Sequence, residues 1–180
     1  MVVPRRIFIP LALLAATLAP AVAGADTPTP GDIPDNQAFV RFSTPNYSLV
    51  APEGWSRTTS GQRVTLSDKY NAIGVEISKA AKAPTVRSVT AAEVPHLRSS
   101  VPGFRSPRVT TLVRPAGRVV LVRYEARSPR DSVTGRTVLN DVERYEFWKS
   151  GRLAVLTLQA PHGSDNVDPW RKVTESFRWR

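Results

Sequence analysis

An alternation of side-chain character over residues 118–127 most limits what this chain can fold into, because it is the pattern of a β-strand. Successive side chains of a strand point to opposite sides of a sheet, so every second residue shares a face. The opposite face is charged from Arg123 onward. The face that is apolar throughout consists of Val120, Val122, Tyr124 and Ala126.

A β-hairpin is predicted after this strand. Residues 138–148 and 153–159 are two more strand-like runs, and only Lys149-Ser150-Gly151-Arg152 separates them. A short connection that contains Gly is typical of a hairpin turn. Because strands joined by short turns pair antiparallel, we predict an α+β sandwich, a mostly antiparallel β-sheet flanked by helices.

Two helices are expected beside the strands. The spacing of Thr90 and Glu93 is that of a capping box, which predicts a helix within residues 89–100. Asp168 suits the N-cap and Pro169 the first position of a closing helix. The face of that helix that covers the sheet would carry Trp170, Val173 and Phe177. Shorter strands are predicted at residues 39–42, 47–50, 63–67 and 73–77.

Residues 1–25 have the pattern of a signal peptide. Arg5 and Arg6 form a positive region, residues 7–18 are apolar, and small residues at 21–25 suit cleavage before Gly24 or Asp26. An N-terminal membrane anchor is the alternative, but the apolar run is short and no charged stop-transfer cluster follows it. We therefore expect a secreted, extracytoplasmic protein with no stable transmembrane segment after cleavage.

The export route and the domain boundaries follow from the same region. The two arginines partly match a twin-arginine signal, but such pairs are common in ordinary signals, so Sec export is favoured over Tat. The chain has no Cys, which excludes a lipid-modified cysteine at the cleavage site. We predict a Pro- and Asp-rich linker at residues 26–37 and a single domain at residues 38–180.

The order of these parts resembles the PsbP-like domain. The resemblance rests on residues 47–55, which end in Pro-Glu-Gly-Trp, on residues 117–124 and 145–158, and on the closing Ser-Phe-Arg-Trp of residues 176–179. It implies a PsbP-like α/β/α sandwich. Members include an extrinsic photosystem subunit and secreted or lipid-anchored envelope proteins of actinobacteria, to which the Arg-rich export signal here is more similar. The family is generally non-enzymatic and acts by binding or by supporting a larger assembly, which implies a binding or accessory domain here.

The positive charge is concentrated in one stretch. The chain carries a net charge of +10, and without Arg5 and Arg6 it has 23 basic against 15 acidic residues. Residues 103–136 hold only two acids, Glu125 and Asp131. Their basic residues are Arg105, Arg108, Arg114, Arg118, Arg123, Arg127, Arg130 and Arg136. A basic surface of this kind suits an anionic envelope component or an acidic protein as partner.

The charge has two other interpretations. The arginines could be compositional, because 20 of the 25 basic residues are Arg and a charged face keeps a secreted domain soluble. Nucleic acid is not the expected partner, since the address is extracytoplasmic and Phe104 and Tyr124 are too few aromatics for a stacking platform. If an aromatic side chain contributes to binding, Trp148, near the end of the hairpin, is our candidate.

No residue set predicts an enzyme, a metal site or a cofactor. His96 and His162 lack the spacing of metal ligands, and the Asp residues near position 165 suit helix capping better than a calcium loop. Glu143 and Glu146 fall on opposite faces of a strand, which favours solvated cross-strand ion pairs over acid–base work. The alternative function is an extracytoplasmic hydrolase of envelope material using His162 and Ser164, which requires an acid within about 3 Å of His162 in a cleft.

Overall fold

The computed structural model describes residues 31–130 and 135–180. The signal peptide predicted over residues 1–25 therefore lies outside the described residues. The strands are β1 (Phe39–Ser43), β2 (Tyr47–Pro52), β3 (Ser56–Ser60), β4 (Arg63–Asp68), β5 (Asn71–Lys79), β6 (Arg105–Arg114), β7 (Gly117–Arg127), β8 (Leu139–Lys149), β9 (Arg152–Pro161) and β10 (Arg178–Trp179). The helices are α1 (Val86–Ser88), continued by a wider π-helical turn (Val89–Glu93) into α2 (Val94–Ser100), and α3 (Val167–Ser176).

A seven-stranded antiparallel sheet forms the middle of the molecule, with the strand order β3-β4-β5-β9-β8-β7-β6. Its centre is the predicted hairpin of β8 and β9, in which Lys149 pairs with Arg152. Ser150 and Gly151 form the two-residue turn with φ values of 49° and 78°. Two positive φ values match the right-handed twist of the flanking strands, so the hairpin prediction is confirmed.

Different elements cover the two faces of this sheet. One face packs against α3 and a small sheet of order β1-β2-β10. The other face packs against the α1–α2 segment through Val89, Val94 and Leu97, which meet the apolar face predicted for residues 118–127. The fold is therefore α+β with three layers, as predicted.

Aromatic rings join α3 and the small sheet to the central sheet. Phe177, at the end of α3, is fully buried. Its ring centroid lies 4.4 Å from that of Phe147 in the central sheet, 5.8 Å from Tyr47 in β2 and 5.5 Å from Trp179 in β10. One side chain thus contacts three parts of the fold.

Both helices begin earlier than predicted. A capping box formed by Thr85 and Ser88 starts the first helical segment at Val86, so the box proposed for Thr90 and Glu93 was wrong. The closing helix begins at Val167, with Asn166 and not Asp168 at the N-cap position. The first difference arises because Ser88, like a Glu, returns a hydrogen bond to the backbone of the N-cap residue. The Asn166 side chain makes no capping hydrogen bond, because it is used elsewhere.

Asn166 holds the segment before β1 on the domain. Its Oδ1 accepts a hydrogen bond from the backbone N–H of Ile33 at 2.8 Å, and its Nδ2 donates to the carbonyl of Gly31 at 2.9 Å. Ile33 is 5% exposed. A Cβ on Gly31 would lie 2.5 Å from Pro161, so only glycine fits this approach. Within the segment predicted as a linker, Gly31 and Ile33 are therefore held on the domain, whereas residues 34–36 are exposed.

We expect Phe177→Ala to lower the free energy of unfolding by about 3–5 kcal/mol, because it leaves a cavity between three parts of the core. Val113→Ala is the control, since Val113 is 74% exposed on β6. Urea denaturation followed by tryptophan fluorescence measures both variants. Equal loss in the two variants would contradict the central role of Phe177.

Candidate functional site: an arginine-lined cleft

A cleft of about 660 Å³ lies on the face of the central sheet that α3 covers. Its floor is formed by β6, β7 and β8, and its wall by the loop before α3 and the first turns of α3, including Trp170 and Arg171. The residues of this face are apolar under α3, at Leu121 and Phe147, and become charged at Arg123 and Glu143, beyond its cover. The cleft is the part of this face that lies beyond the cover of α3.

Each carboxylate in the cleft is already engaged by a donor. Arg105 contacts Glu125 at 2.6 Å, and Arg123 Nε donates to Glu143 Oε1 at 2.6 Å. Tyr145 also donates its hydroxyl proton to Glu143. The third carboxylate, Asp141, is hydrogen-bonded to His162. The Arg105–Glu125 and Arg123–Glu143 contacts are cross-strand ion pairs, as predicted, and each carboxylate on the floor of the cleft has a donor. The prediction of a solvated cross-strand pair was wrong for Glu146, which is 5% exposed and contacts Arg144 of its own strand.

The hydrogen bonds shift the pKa values of two groups on the floor. The hydrogen bond to Glu143 raises the pKa of Arg123. Burial raises the pKa of Tyr145, and the negative charge of Glu143 raises it further. Arg123 is therefore a fixed cation and Tyr145 a neutral hydroxyl at physiological pH.

The remaining arginines of the cleft have no strong counter-charge. Arg114 Nε donates to the neutral hydroxyl of Thr174 at 3.0 Å. Arg171 contacts Asp168 at 3.1 Å, but the Asp168 side chain is 84% exposed, so solvent screens the pair. Arg108 lies directly opposite Arg123 in the β6–β7 register, and its side chain has no hydrogen bond or ion pair with any described residue. Two arginines side by side repel each other, which favours an anion between them.

The eight predicted basic residues are thus divided. Arg108, Arg114 and Arg123 line the cleft, and Arg105 lies beside it through Glu125. The other four lie elsewhere: Arg118 is exposed on the opposite face of β7, Arg127 packs over Gly103, Arg130 donates to the carbonyl of Gly135, and Arg136 is exposed near the start of β8.

Sequence reasoning missed Tyr145, Trp170 and Arg171 as residues of the cleft. Tyr145 and Trp170 match the pattern of core residues, and both do contact the core. The signal that could have found Arg171 is its position next to Trp170, one step off the buried face of α3. Trp148, the aromatic candidate, lies outside the cleft, where it is partly buried and its Nε1 donates to the carbonyl of Ala80 at 2.8 Å.

His162 has an acidic partner at the rim of the cleft. Its Nδ1 lies 2.8 Å from Asp141 Oδ1, and the backbone N–H of Gly163 donates to the other oxygen of Asp141 at 3.2 Å. The approach to about 3 Å that the hydrolase hypothesis required is present, with Asp141 of β8 as the acid. Asp141 and Ser164 both line the cleft. A Cβ on Gly31 would lie 2.6 Å from Ser164 Oγ, so the hydroxyl of Ser164 is next to the segment before β1.

Within residues 31–130 and 135–180, no group of three or more His, Asp or Glu side chains is arranged to hold a metal ion. In the same ranges, no helix combines the length and the apolar character needed to cross a membrane.

No family model and no curated protein matches this sequence. Among solved structures, cyanobacterial PsbP (CyanoP) from Synechocystis sp. PCC 6803 matches with a TM-score of 0.52 at 16% identity, over 80% of this chain and 94% of that one. LpqN of Mycobacterium tuberculosis, described as involved in cell envelope biogenesis, matches with a TM-score of 0.46 at 15% identity, over 79% and 90% of the two chains.

A protein from Bacteroides thetaiotaomicron VPI-5482 matches with a TM-score of 0.46 at 12% identity. The match covers 78% of this chain but only 48% of that protein, so this chain spans about half of its length. The architecture described above and the likeness to CyanoP place the chain in the α+β class with a largely antiparallel sheet. More narrowly, the chain has the PsbP-like fold, as the sequence resemblance predicted.

We expect the pKa of His162 to lie above 6.5, because the hydrogen bond that its ring donates to Asp141 favours the protonated ring. The contact therefore stabilises the fold below the pKa of a free histidine, and that stabilisation is lost as the pH rises through the raised pKa. NMR titration of the ring protons measures the value. Asp141→Asn should return it towards 6.5, whereas an unchanged pKa would contradict the contact.

Proposed function

We propose that this chain is a secreted, non-enzymatic binding domain that acts at the bacterial cell envelope and takes an anionic group into its arginine-lined cleft. One observation carries the proposal. Every carboxylate in the cleft is engaged by a donor, whereas Arg108 has no counter-charge among the described residues. The unbalanced charge of the cleft is therefore positive.

The geometry of the arginines favours an anion with several oxygen atoms. A guanidinium group is planar and can donate two parallel hydrogen bonds to a carboxylate or a phosphate. Glu143 holds Arg123 in place from one side, and Arg108 lies opposite it. An anion bound between them would replace the repulsion of two like charges with two attractive contacts.

The predicted extracytoplasmic location supports a partner at the cell envelope. The signal-peptide pattern of residues 1–25 directs the chain out of the cytoplasm, by Sec export in our proposal. Anionic components outside the cytoplasm include phosphate-containing polymers, lipid headgroups and acidic proteins. Of these, we propose a phosphate-containing envelope component, because arginines around an open cleft can contact the separate oxygens of one phosphate group.

Polyphosphate is a suitable soluble probe of this site. We expect Arg108→Gln to weaken its binding about tenfold or more in isothermal titration calorimetry, because a charge-assisted hydrogen bond is lost. Arg118→Gln is the matched control, since it removes the same charge from an exposed arginine on the opposite face of β7. We expect less than about a twofold effect there at moderate salt, where charges farther away are screened.

Equal weakening by the two variants would mean that the arginines act only through their total charge, and the cleft would not be the site. Cell fractionation tests the proposed location of the protein separately. Mature protein in the cytoplasm would contradict the envelope part of the proposal but leave the anion site intact.

A hydrolase of envelope material is the second candidate. It is favoured by one observation, the contact of His162 with Asp141 beside the cleft that Ser164 also lines. Such a pair is two parts of a nucleophile–base–acid arrangement. Asp141 raises the pKa of His162, as the acid of such an arrangement does, so this shift does not distinguish the two candidates.

Hydrolysis of p-nitrophenyl acetate separates the two candidates. Our proposal expects the same slow rate for the wild-type chain, Ser164→Ala and His162→Gln. Loss of a measurable wild-type activity in both variants, with Arg108→Gln still active, would support the hydrolase and overturn the non-enzymatic proposal.

A further inference from the structure

The apolar side of α3 is longer than the part of it that the core covers. Val167, Trp170, Val173 and Phe177 recur at helical spacing, so they lie along one side of the helix. Val173 and Phe177 are fully buried, Trp170 is only partly buried, and Val167 is 63% exposed. The first turns of α3 therefore leave apolar surface open to solvent.

This open apolar surface belongs to the arginine-lined cleft, but it lies at a different end from Arg108. Val167 and Trp170 both line the cleft. Arg108 is on β6, at the edge of the central sheet, whereas Val167 follows the end of β9 after the loop of residues 162–166. Because β7 and β8 lie between β6 and β9 and neighbouring strands are about 4.8 Å apart, roughly 14 Å separates the two ends.

The cleft is larger than a lone anion requires. Its volume of about 660 Å³ lies within the range of pockets that take drug-sized organic ligands, roughly 300–1,000 Å³. A phosphate group between Arg108 and Arg123 would leave the end at Val167 and Trp170 unfilled. The lining therefore suits a ligand that has a charged part and an apolar part.

We propose that the cleft binds a phosphate group that carries an apolar chain or ring. The phosphate lies between Arg108 and Arg123, and the attached group packs on Val167 and Trp170. Contact with these two side chains removes apolar surface from water and adds to the affinity. This inference rests on the proposed function, and it makes Val167 and Trp170 the residues that determine specificity.

Other classes of ligand use only one end of the cleft. A purely polar phosphate polymer would gain nothing from Val167 and Trp170. A wholly apolar ligand would cover Arg108 without supplying a counter-charge, and the burial of an unpaired charge is costly. A phosphate with an apolar substituent avoids both problems.

The test is a ¹⁵N-resolved NMR titration of the mature chain with glycerol 3-phosphate, hexyl phosphate and phenyl phosphate. We expect hexyl or phenyl phosphate to bind about tenfold or more tightly than glycerol 3-phosphate, because the apolar group is removed from water. Hexyl and phenyl phosphate have the same number of carbon atoms. Tighter binding of hexyl phosphate would identify an alkyl chain, as in a lipid, and tighter binding of phenyl phosphate an aromatic group.

Two variants test the apolar end. Val167→Ala should lower the preference for the tighter of these two ligands over glycerol 3-phosphate about threefold, because contact area is lost. Val113→Ala is the matched control, since it makes the same truncation at a valine that is 74% exposed on β6, and it should not change the preference. Trp170→Phe, which keeps an aromatic ring against the core, should lower the preference as well.

Arg108→Gln separates failure of this inference from failure of the proposed function. Equal affinity for the three phosphates, each weakened by Arg108→Gln, would overturn the inference and leave the anion site intact. A preference that Val167→Ala and Trp170→Phe leave unchanged would also overturn it. Binding of none of the phosphates, or binding that Arg108→Gln does not weaken, would overturn the proposed function and this inference with it.

Discussion

The burial of Phe177 among Phe147, Tyr47 and Trp179 determines which part of the central sheet is covered by a second layer and which part is open to solvent. The ring lies at the junction of α3, the small sheet and the central sheet, with centroid distances of 4.4 to 5.8 Å to its three neighbours. Because it fixes α3 over only part of the central sheet, the rest of that face has no second layer. The arginine-lined cleft is this uncovered part.

Much of this arrangement was readable in the sequence. On one face of β7, apolar residues change to charged ones between Leu121 and Arg123, and β8 makes the same change between Tyr145 and Glu143. The alternation predicted the strand, and the ion pairs of its charged face were predicted from it. The PsbP-like fold followed from the packing motifs, because those residues make the core contacts that define the fold.

The parts that were missed depend on contacts between distant residues. β6 has a register shift between Arg105 and Arg108, with Pro107 inside it, so its own sequence is a poor strand pattern. It is a strand because β7 pairs with it. The sequence named no particular acid for His162, and the one that contacts it is Asp141, 21 positions away along the chain. Local patterns cannot predict such pairs.

The ion pairs of the cleft are better explained by their effect on the position of the arginine side chains than by their contribution to the stability of the fold. Exposed pairs contribute about 0–1 kcal/mol each, and the Arg123 side chain is 55% exposed. On the opposite face, Arg144 contacts Glu93 at 2.7 Å, and burial raises the pKa of the neighbouring Glu146. The Arg144–Glu93 pair lies between the sheet and the helices, where its side chains are only 19% and 27% exposed. The two faces thus differ in what covers them. Beneath the α1–α2 segment, the charged side chains are largely enclosed. Beyond the end of α3, the same strands hold arginines that are open to solvent, where a charged partner can reach them.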